Sequence, residues 1–233
     1  MPRRLLLISN STNHGQGYLD HVISEIDDLL GPIRRLVFVP FALKDRQAYG
    51  AKAAERLNAI GVEVSTLTAD GAGRRLAGEA EAVFTGGGNT FRLLKTLQDS
   101  RLLAILRERA LAGMPYIGSS AGTNIAAPTI RTTNDMPIVQ PASFEALGLV
   151  PFQINPHYLD PEPNSTHMGE TREQRIKEFH EENATPVVGI REGAWIRVEG
   201  DRAELGGSRG ARIFRRDQEP EERRTGESLD DLL

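Results

Sequence analysis

Short apolar runs alternate with amphipathic stretches of helix length through the first half of the chain, and this alternation restricts the fold most strongly. The apolar runs lie at residues 5–9, 35–42, 62–67, 81–87 and 114–118. Several intervening stretches have apolar residues three and four positions apart, which predicts helices. Strands that alternate with helices form βαβ units, so we expect an α/β fold: a mainly parallel central sheet with helices on both faces. In such sheets the functional groups lie in loops beyond the carboxyl ends of the strands.

The second half of the sequence lacks the regular alternation of the first. Residues 128–165 are rich in proline and show little periodicity, and long irregular segments of this kind tend to be functional. A helix is predicted over 169–183, and residues 186–207 alternate like a C-terminal β-hairpin with its turn near Gly200. We therefore expect one α/β domain over residues 1–214. The charged, proline-broken segment 215–233 is expected to be frayed or disordered.

Composition excludes several functional classes. The formal net charge is −4 and the pI is about 5.8, which argues against a general nucleic-acid binder. The chain contains no cysteine, so disulfides, thiolate metal sites and cysteine nucleophiles are excluded. No apolar run approaches the roughly 18–20 residues that span a bilayer, and the run at 5–8 is too short for a signal peptide. We expect a cytoplasmic protein without nucleic-acid or membrane partners.

Residues 118–122, Gly-Ser-Ser-Ala-Gly, match the pattern G-x-S-x-G with Ser120 at its centre. An apolar strand precedes the pattern and a small-residue helix follows it, which is the context in which a nucleophile occupies a sharp strand-to-helix turn. Glycines on either side keep neighbouring side chains away from this turn. The N–H groups at the helix start are free to face an anion. The alternative interpretation is a plain turn of small residues.

A serine hydroxyl needs a base to remove its proton, and the chain offers five histidines. His157 is the strongest candidate, because "QINPHY" ends an apolar segment and presents the imidazole in the irregular region after the candidate nucleophile. His14 and His21 belong to the first loop and first helix, His167 lies in the irregular region, and His180 is expected on a charged, solvated helix face.

The third group should be a carboxylate that orients the imidazole. Asp135 in "TTNDMPI" and Glu192 in "GIREGAW" are both candidates. Chain order does not choose between them, because the same geometry occurs with different orders. Each could instead be a loop carboxylate that accepts from backbone N–H groups.

The run "TGGGNTF" gives a second glycine turn between a strand and a helix. The dinucleotide pattern G-x-G-x-x-G fails, since its third glycine would fall at Phe91, and no G-K-[ST] follows. What remains is a turn whose amides approach a ligand, with Gly88 as a candidate oxyanion donor. "HEEN" at 180–183 lacks the second histidine of a zinc motif, so no metal is expected.

Three arginines near these segments are candidates for binding a substrate carboxylate: Arg131, Arg172 and Arg175. Each is by default a surface residue. In a pocket, however, a guanidinium is the natural bidentate partner of a carboxylate.

Six strings occur together in the order and approximate spacing of one family: "GGGNTF", "YIGSSAGTN", "PTIRTTNDMPIV", "QINPHY", "GETREQRI" and "REGAW". The chain resembles the α-aspartyl dipeptidases of the S51 serine peptidase family from residue 5 to residue 207. The resemblance implies a fold like that of class I glutamine amidotransferases. It also implies a cytosolic serine exopeptidase that hydrolyses dipeptides with N-terminal aspartate and uses no metal or organic cofactor.

The resemblance also implies roles for individual residues. Ser120 would be the nucleophile and His157 the general base. Glu192 and Asp135 both remain possible third members; we expect Glu192 to contact the imidazole and Asp135 to shape the pocket or hold the substrate's amino group. The N–H groups of Gly88 and Ala121 would bind the oxyanion. Arg131, then Arg172, would read the aspartate side chain, with Asn89 as a further substrate-binding residue.

One departure from the family pattern is Ser119, where some relatives carry a bulky aromatic residue. Two other functions remain open: a cyanophycinase-like hydrolase of β-linked aspartyl peptides, and a non-catalytic small-molecule binding protein on the same scaffold. A monomer or a homodimer is expected.

Overall fold

The computed structural model of the protein describes residues 2–161 and 169–233. Within those ranges the chain forms a seven-stranded and a four-stranded sheet. The strands are β1 (Arg4–Ile8), β2 (Arg35–Val39), β3 (Glu63–Thr66), β4 (Val83–Thr85), β5 (Tyr116–Ser119), β6 (Gln153–Tyr158), β7 (Val187–Arg191), β8 (Ala194–Glu199), β9 (Arg202–Gly207), β10 (Ala211–Phe214) and β11 (Glu221–Arg223). The helices are α1 (Ile23–Leu30), α2 (Arg46–Asn58), α3 (Gly71–Glu79), α4 (Thr90–Asp99), α5 (Leu102–Leu111), α6 (Ala121–Asn124), α7 (Arg172–Glu182) and a 3₁₀-helix at Asp230–Leu232.

The larger sheet has the strand order β3-β2-β4-β5-β1-β8-β9. The first five of these strands are mutually parallel, β8 runs antiparallel to β1, and β9 runs antiparallel to β8. The predicted mainly parallel sheet is confirmed. Its carboxyl edge collects the loops after β1, β4 and β5.

Helices cover both faces of this sheet, as predicted. Along β1, Leu5 and Leu7 enter one buried cluster and Leu6 and Ile8 enter the other. This alternation follows from the two-residue period of a strand. Helices α1 and α2 pack on the Leu6 side, and α3 to α6 pack on the Leu5 side.

The smaller sheet has the order β11-β10-β7-β6, with β6 and β7 parallel and β10 antiparallel to its neighbours. The predicted hairpin is the pair β8–β9, whose turn contains Gly200 at φ +66°. Strand β7, which the alternating pattern joins to that hairpin, belongs instead to the smaller sheet. The chain therefore crosses from one sheet to the other between Arg191 and Ala194.

The sequence does not predict α3, β10 or β11. Helix α3 contains three glycines, which lowers its intrinsic helix propensity. It forms because the Asp70 side chain accepts from the Gly73 N–H at 2.9 Å and Ala77 is buried. Helix α1 starts at Ile23, later than expected, because Leu19 has φ +62°; His21 consequently lies in the turns before the helix.

The expected disorder of residues 215–233 disagrees with the structure. Strand β11 pairs with β10, and Leu229 is completely buried. Arg215 forms ion pairs with Glu221 at 2.9 Å and with Asp231 at 2.6 Å. The composition suggested a solvated segment, but its charges pair with each other while its leucines reach the core.

Candidate active site

Ser120 lies at the turn between β5 and α6, where G-x-S-x-G predicted it. Its backbone is left-handed, with φ +52°, and its N–H donates to the carbonyl of Ile8 at 3.0 Å. A Cβ at Gly122 would lie 2.0 Å from the carbonyl oxygen of Thr85, so only glycine allows the helix to pass this close to β4. Helix α6 has only four residues, so the anion-binding capacity of this turn comes from N–H donors rather than from a long helix dipole.

His157 lies inside β6, whereas the sequence predicted it in the irregular region after an apolar segment. Its φ is +55°, and the register between β6 and β7 shifts between Pro156 and Tyr158. A bulge of this kind redirects a side chain out of its normal alternation. The irregular strand therefore takes the imidazole towards the larger sheet.

The imidazole joins the hydroxyl to a carboxylate. His157 Nε2 is 2.9 Å from Ser120 Oγ, and His157 Nδ1 is 2.7 Å from Glu192 Oε1. Since a carboxylate only accepts, Nδ1 carries the proton and Nε2 accepts from the serine hydroxyl. Glu192 is in the connection between β7 and β8. The side chains of His157 and Glu192 are 37% and 53% exposed, so a substrate can reach them from solvent.

The two candidate acids have different surroundings. Asp135 Oδ2 accepts from the Thr90 N–H at 2.7 Å and from Thr90 Oγ1 at 2.6 Å, at the start of α4. Asp135 Oδ1 has no hydrogen-bond partner within the described residues. The structure therefore brings Glu192 to the imidazole and Asp135 to the first turn of α4.

Asn89 precedes Thr90 as the N-cap of α4. Its Oδ1 accepts from the Arg92 N–H at 3.0 Å, and its Nδ2 donates to the Met136 carbonyl at 2.9 Å. These two bonds give Asn89 a capping role. A role in substrate binding would require one of them to open.

The glycine turn after β4 passes against the nucleophile. A Cβ at Gly87 would lie 3.0 Å from the Cβ of Ser120, so a side chain there would crowd the serine. The Gly87 N–H donates to the Tyr49 hydroxyl at 2.8 Å. In the described part of the chain, the N–H groups of Gly88 and Ala121 donate to no protein acceptor. Both are thus available to a ligand. The sequence does not single out Gly87 or Tyr49, because Gly87 is one of three consecutive glycines and a tyrosine on α2 carries no motif.

The candidate arginines differ in their surroundings. Arg131 is exposed, and its guanidinium lies 5.2 Å from the centre of the Phe144 ring. Arg172, the first residue of α7, is partly buried. Burial, then the neighbouring charge of Arg175, lowers the pKa of Arg172, while Asp135 opposes this shift. No ion pair forms at Arg172 among the residues described.

A cavity of about 520 Å³ lies between α4, the segment 130–144 and α7. Its charged lining includes Arg131, Asp135 and Arg175, and its apolar lining includes Phe144 and Phe179. The cavity can accommodate a small molecule with both a charged group and an apolar side chain.

The remaining histidines do not join this site in the described residues. His180 is buried rather than solvated, and its Nδ1 donates to the Asn183 carbonyl at 3.2 Å. His167 lies outside the described residues.

Across residues 2–161 and 169–233, no cluster of three or more histidine or acidic residues has a metal-binding arrangement. No helix in these ranges is long and apolar enough to cross a membrane.

Known proteins resemble this chain over most of its length. The model of peptidase family S51 matches residues 5–206. A peptidase E from Streptomyces coelicolor is 56% identical over 229 residues, which cover 98% of this chain and 94% of the relative. A probable alpha-aspartyl dipeptidase from Drosophila melanogaster is 48% identical, with 94% and 93% of the two chains covered.

Two solved structures share the fold. A peptidase from an acI-B1 Actinobacterium superposes with a TM-score of 0.71 at 19% identity and covers 98% of this chain and 97% of its own. A candidate peptidase E protein from Listeria monocytogenes EGD-e gives 0.69 at 23% identity, covering 89% and 100%. Because the family model spans most of the sequence and the curated relatives match nearly all of it, the chain belongs to peptidase family S51.

Proposed function

We propose that the protein is a serine dipeptidase that hydrolyses dipeptides with an N-terminal aspartate through an acyl-enzyme on Ser120. One observation carries the proposal: the continuous hydrogen-bonded series from Ser120 Oγ through His157 to Glu192, at 2.9 and 2.7 Å. The names of the S51 relatives, peptidase E and alpha-aspartyl dipeptidase, support the substrate class.

In the proposed mechanism, Ser120 Oγ attacks the Asp–Xaa carbonyl carbon while its proton moves to His157 Nε2. The Glu192 carboxylate stabilises the imidazolium that forms. The oxyanion accepts from the N–H groups of Gly88 and Ala121. As the C–N bond breaks, His157 gives its proton to the leaving amine. A water molecule then attacks the acyl ester and gives a proton to His157, which passes it to Ser120 Oγ as the ester C–O bond breaks and aspartate is released.

We assign recognition of the substrate's charges to Arg172 and Asp135. Burial removes water from the Arg172 guanidinium and thereby lowers its pKa. An anion bound beside this guanidinium would stabilise its positive charge. Arg131, which the sequence ranked first, becomes the second candidate, because its guanidinium is exposed and lies over the Phe144 ring. Asp135 Oδ1 is available to accept from the substrate's ammonium group.

A dipeptide panel that varies only the first residue tests this function. We expect turnover of Asp-Leu and little turnover of Asn-Leu, Glu-Leu or Ala-Leu. Ser120→Ala should abolish hydrolysis while circular dichroism remains that of the parent. Retained turnover in Ser120→Ala would refute the nucleophile. Preference for β-Asp-Arg over Asp-Leu would identify a cyanophycinase-like hydrolase, and no turnover with no fluorophosphonate labelling would favour a binding protein.

The selectivity prediction compares two arginines. Arg172→Met should reduce the Asp-Leu over Asn-Leu preference in kcat/KM about 10- to 100-fold, because one charge-assisted contact is lost. Arg131→Met is the matched variant and should change the preference by less. The reverse ranking would assign the aspartate side chain to Arg131.

We also propose a cytoplasmic location and a monomeric or homodimeric state. The acidic net charge and the absence of cysteine support the location. Light scattering on the purified protein measures the assembly, and a larger oligomer would contradict the proposal.

A further inference from the structure

The segment that follows β1 lies beneath the triad. Ile8, the last residue of β1, accepts from the Ser120 N–H at 3.0 Å and from Thr123 Oγ1 at 2.7 Å. The next two residues, Ser9 and Asn10, are 0% and 2% exposed although both are polar. Buried polar side chains require hydrogen-bond partners, so the partners of these two side chains reveal what they hold.

The Ser9 hydroxyl connects the strand of the base to the strand that precedes the acid. Ser9 Oγ accepts from the His157 N–H at 2.9 Å and donates to the Ile190 carbonyl at 2.9 Å. The Ser9 N–H donates to the Ala194 carbonyl at 3.0 Å. The first residue after β1 therefore forms hydrogen bonds to β6, β7 and β8 at the point where the triad assembles.

The Asn10 amide holds the turn that carries Glu192. Asn10 Oδ1 accepts from the Gly193 N–H at 2.7 Å. Its Nδ2 donates to the Thr12 carbonyl at 2.9 Å and to Asn13 Oδ1 at 2.7 Å, which orients the amide. Glu192 is thus bracketed by backbone anchors on both sides, at Ile190 through Ser9 and at Gly193 through Asn10.

These anchors matter because the triad side chains do not hold themselves in place. His157 and Glu192 are 37% and 53% exposed, and contacts between exposed polar side chains fix geometry weakly. The left-handed backbone of His157, at φ +55°, is also one that L-residues rarely adopt. The hydrogen bond from its N–H to Ser9 stabilises this conformation.

We propose that Ser9 and Asn10 are positioning residues: Ser9 fixes the backbone of the general base His157, and Asn10 fixes the turn that presents Glu192 to it. The assignment rests on the proposed function, since it presumes that His157 and Glu192 activate Ser120. Neither side chain contacts the reacting atoms.

The first test compares two serines of the same loop. Ser9→Ala should lower kcat for Asp-Leu about 10- to 100-fold, because small displacements of catalytic groups have effects of this size, with KM changed by less than about threefold. Ser9→Thr keeps the hydroxyl and should recover most of kcat. Ser11→Ala is the control, since the Ser11 hydroxyl makes no hydrogen bond within the described residues. All rates are normalised to the folded fraction from circular dichroism.

The second test uses Asn10. Asn10→Ala should lower kcat, whereas Asn10→Asp keeps an acceptor for the Gly193 N–H and should retain more activity. In a Glu192→Gln background, Asn10→Ala should add no further loss, because residues that act through one group are not additive. If Asn10→Ala lowers kcat by the same factor in the Glu192→Gln background as in the parent, the assignment of Asn10 is overturned. A normal kcat in Ser9→Ala, or a Ser9→Thr variant that is folded but as slow as Ser9→Ala, would overturn that of Ser9.

Fluorophosphonate labelling separates failure of this proposal from failure of the proposed function, because it reports Ser120 activation without a peptide substrate. If the parent labels but hydrolyses no Asp-Xaa dipeptide, and labelling slows in Ser9→Ala, then the substrate assignment fails and the positioning role stands. If the parent hydrolyses Asp-Leu and Ser9→Ala matches it in kcat and labelling rate, the positioning role alone fails.

Discussion

Ser120 and His157 share an uncommon backbone feature, a positive φ. Both have positive φ, at +52° and +55°, although neither is glycine. Such conformations persist only where surrounding contacts impose them, and they concentrate at functional sites. Here the imposing contacts are the carbonyl of Ile8 for Ser120 and the hydroxyl of Ser9 for His157.

The two candidate acids can be separated by paired amide substitutions. Glu192→Gln should lower kcat for Asp-Leu about 100-fold or more with little change in KM, because the imidazolium loses its carboxylate partner. Asp135→Asn should lower Tm and raise KM, because it weakens the contacts at the start of α4 and the proposed contact to the ammonium group. Steady-state kinetics and thermal melts measure both. A larger kcat loss in Asp135→Asn with unchanged KM would contradict the assignment.

For single residues, the sequence predicted which side chains belong to the site better than it predicted which side chains they contact. The pattern around Ser120 and the string "QINPHY" identify two members of the triad, because each has a local signature. The choice between Asp135 and Glu192 depends on which loop meets the imidazole, which is a long-range contact without a local signal. Ser9 shows the same limit, since its partners are 148 and 181 positions away.

Among the elements, the β5–α6 turn packs tightly against its neighbours. Gly122 passes the carbonyl of Thr85, and a Cβ at Gly118 would lie 2.6 Å from the carbonyl oxygen of Gly122. The turn can hold Ser120 because both flanking positions lack side chains. The pattern G-x-S-x-G therefore reflects packing as well as chemistry.

This packing predicts opposite effects for two glycine substitutions. Gly122→Ala should destabilise the fold by about 1–3 kcal/mol or more and reduce activity, because its methyl group overlaps backbone. Gly78→Ala is the matched control: a Cβ added at this position of α3 would meet nothing within 4 Å, and the change should be neutral or stabilise by up to about 1 kcal/mol. Urea midpoints measure both. Equal midpoints in the two variants would contradict the packing argument.

Elements with strong periodicity or long apolar runs were predictable, and those that depend on neighbours were not. Strands β1, β2, β4 and β5 lie where the apolar runs predicted them. Strand β10 forms because it pairs with β7 and β11, and its sequence, Ala-Arg-Ile-Phe, is too short to show a period. The bulge in β6 also depends on its pairing with β7.

Across the whole molecule, the last residues connect the two sheets. After β11 in the smaller sheet, the chain returns to β9 in the larger one: the Leu229 N–H donates to the Ala203 carbonyl at 2.8 Å, and the Leu205 N–H donates to the Glu227 carbonyl at 3.1 Å. Leu229 is completely buried in the main core cluster. We infer that residues 215–233 are an integral part of the fold.

Leu229→Ala tests this role. It should lower the free energy of unfolding by about 2–5 kcal/mol, as for other buried leucines. Glu219→Ala, in an exposed part of the same segment, is the control and should change stability by no more than about 0.5 kcal/mol. Chemical denaturation measures both. A Leu229→Ala protein as stable as the parent would restore the expectation of a disordered segment.

The division of the triad between two sheets has a consequence for how the protein inactivates. Ser120 is attached to β5 of the seven-stranded sheet, and His157 belongs to β6 of the four-stranded one. A relative slip of only about 1 Å would separate proton donor from acceptor without melting either sheet. As the urea concentration rises, turnover should therefore be lost before the far-ultraviolet circular dichroism signal. Contact between the two sheets, rather than the stability of either sheet, should set the urea concentration at which the enzyme stops working.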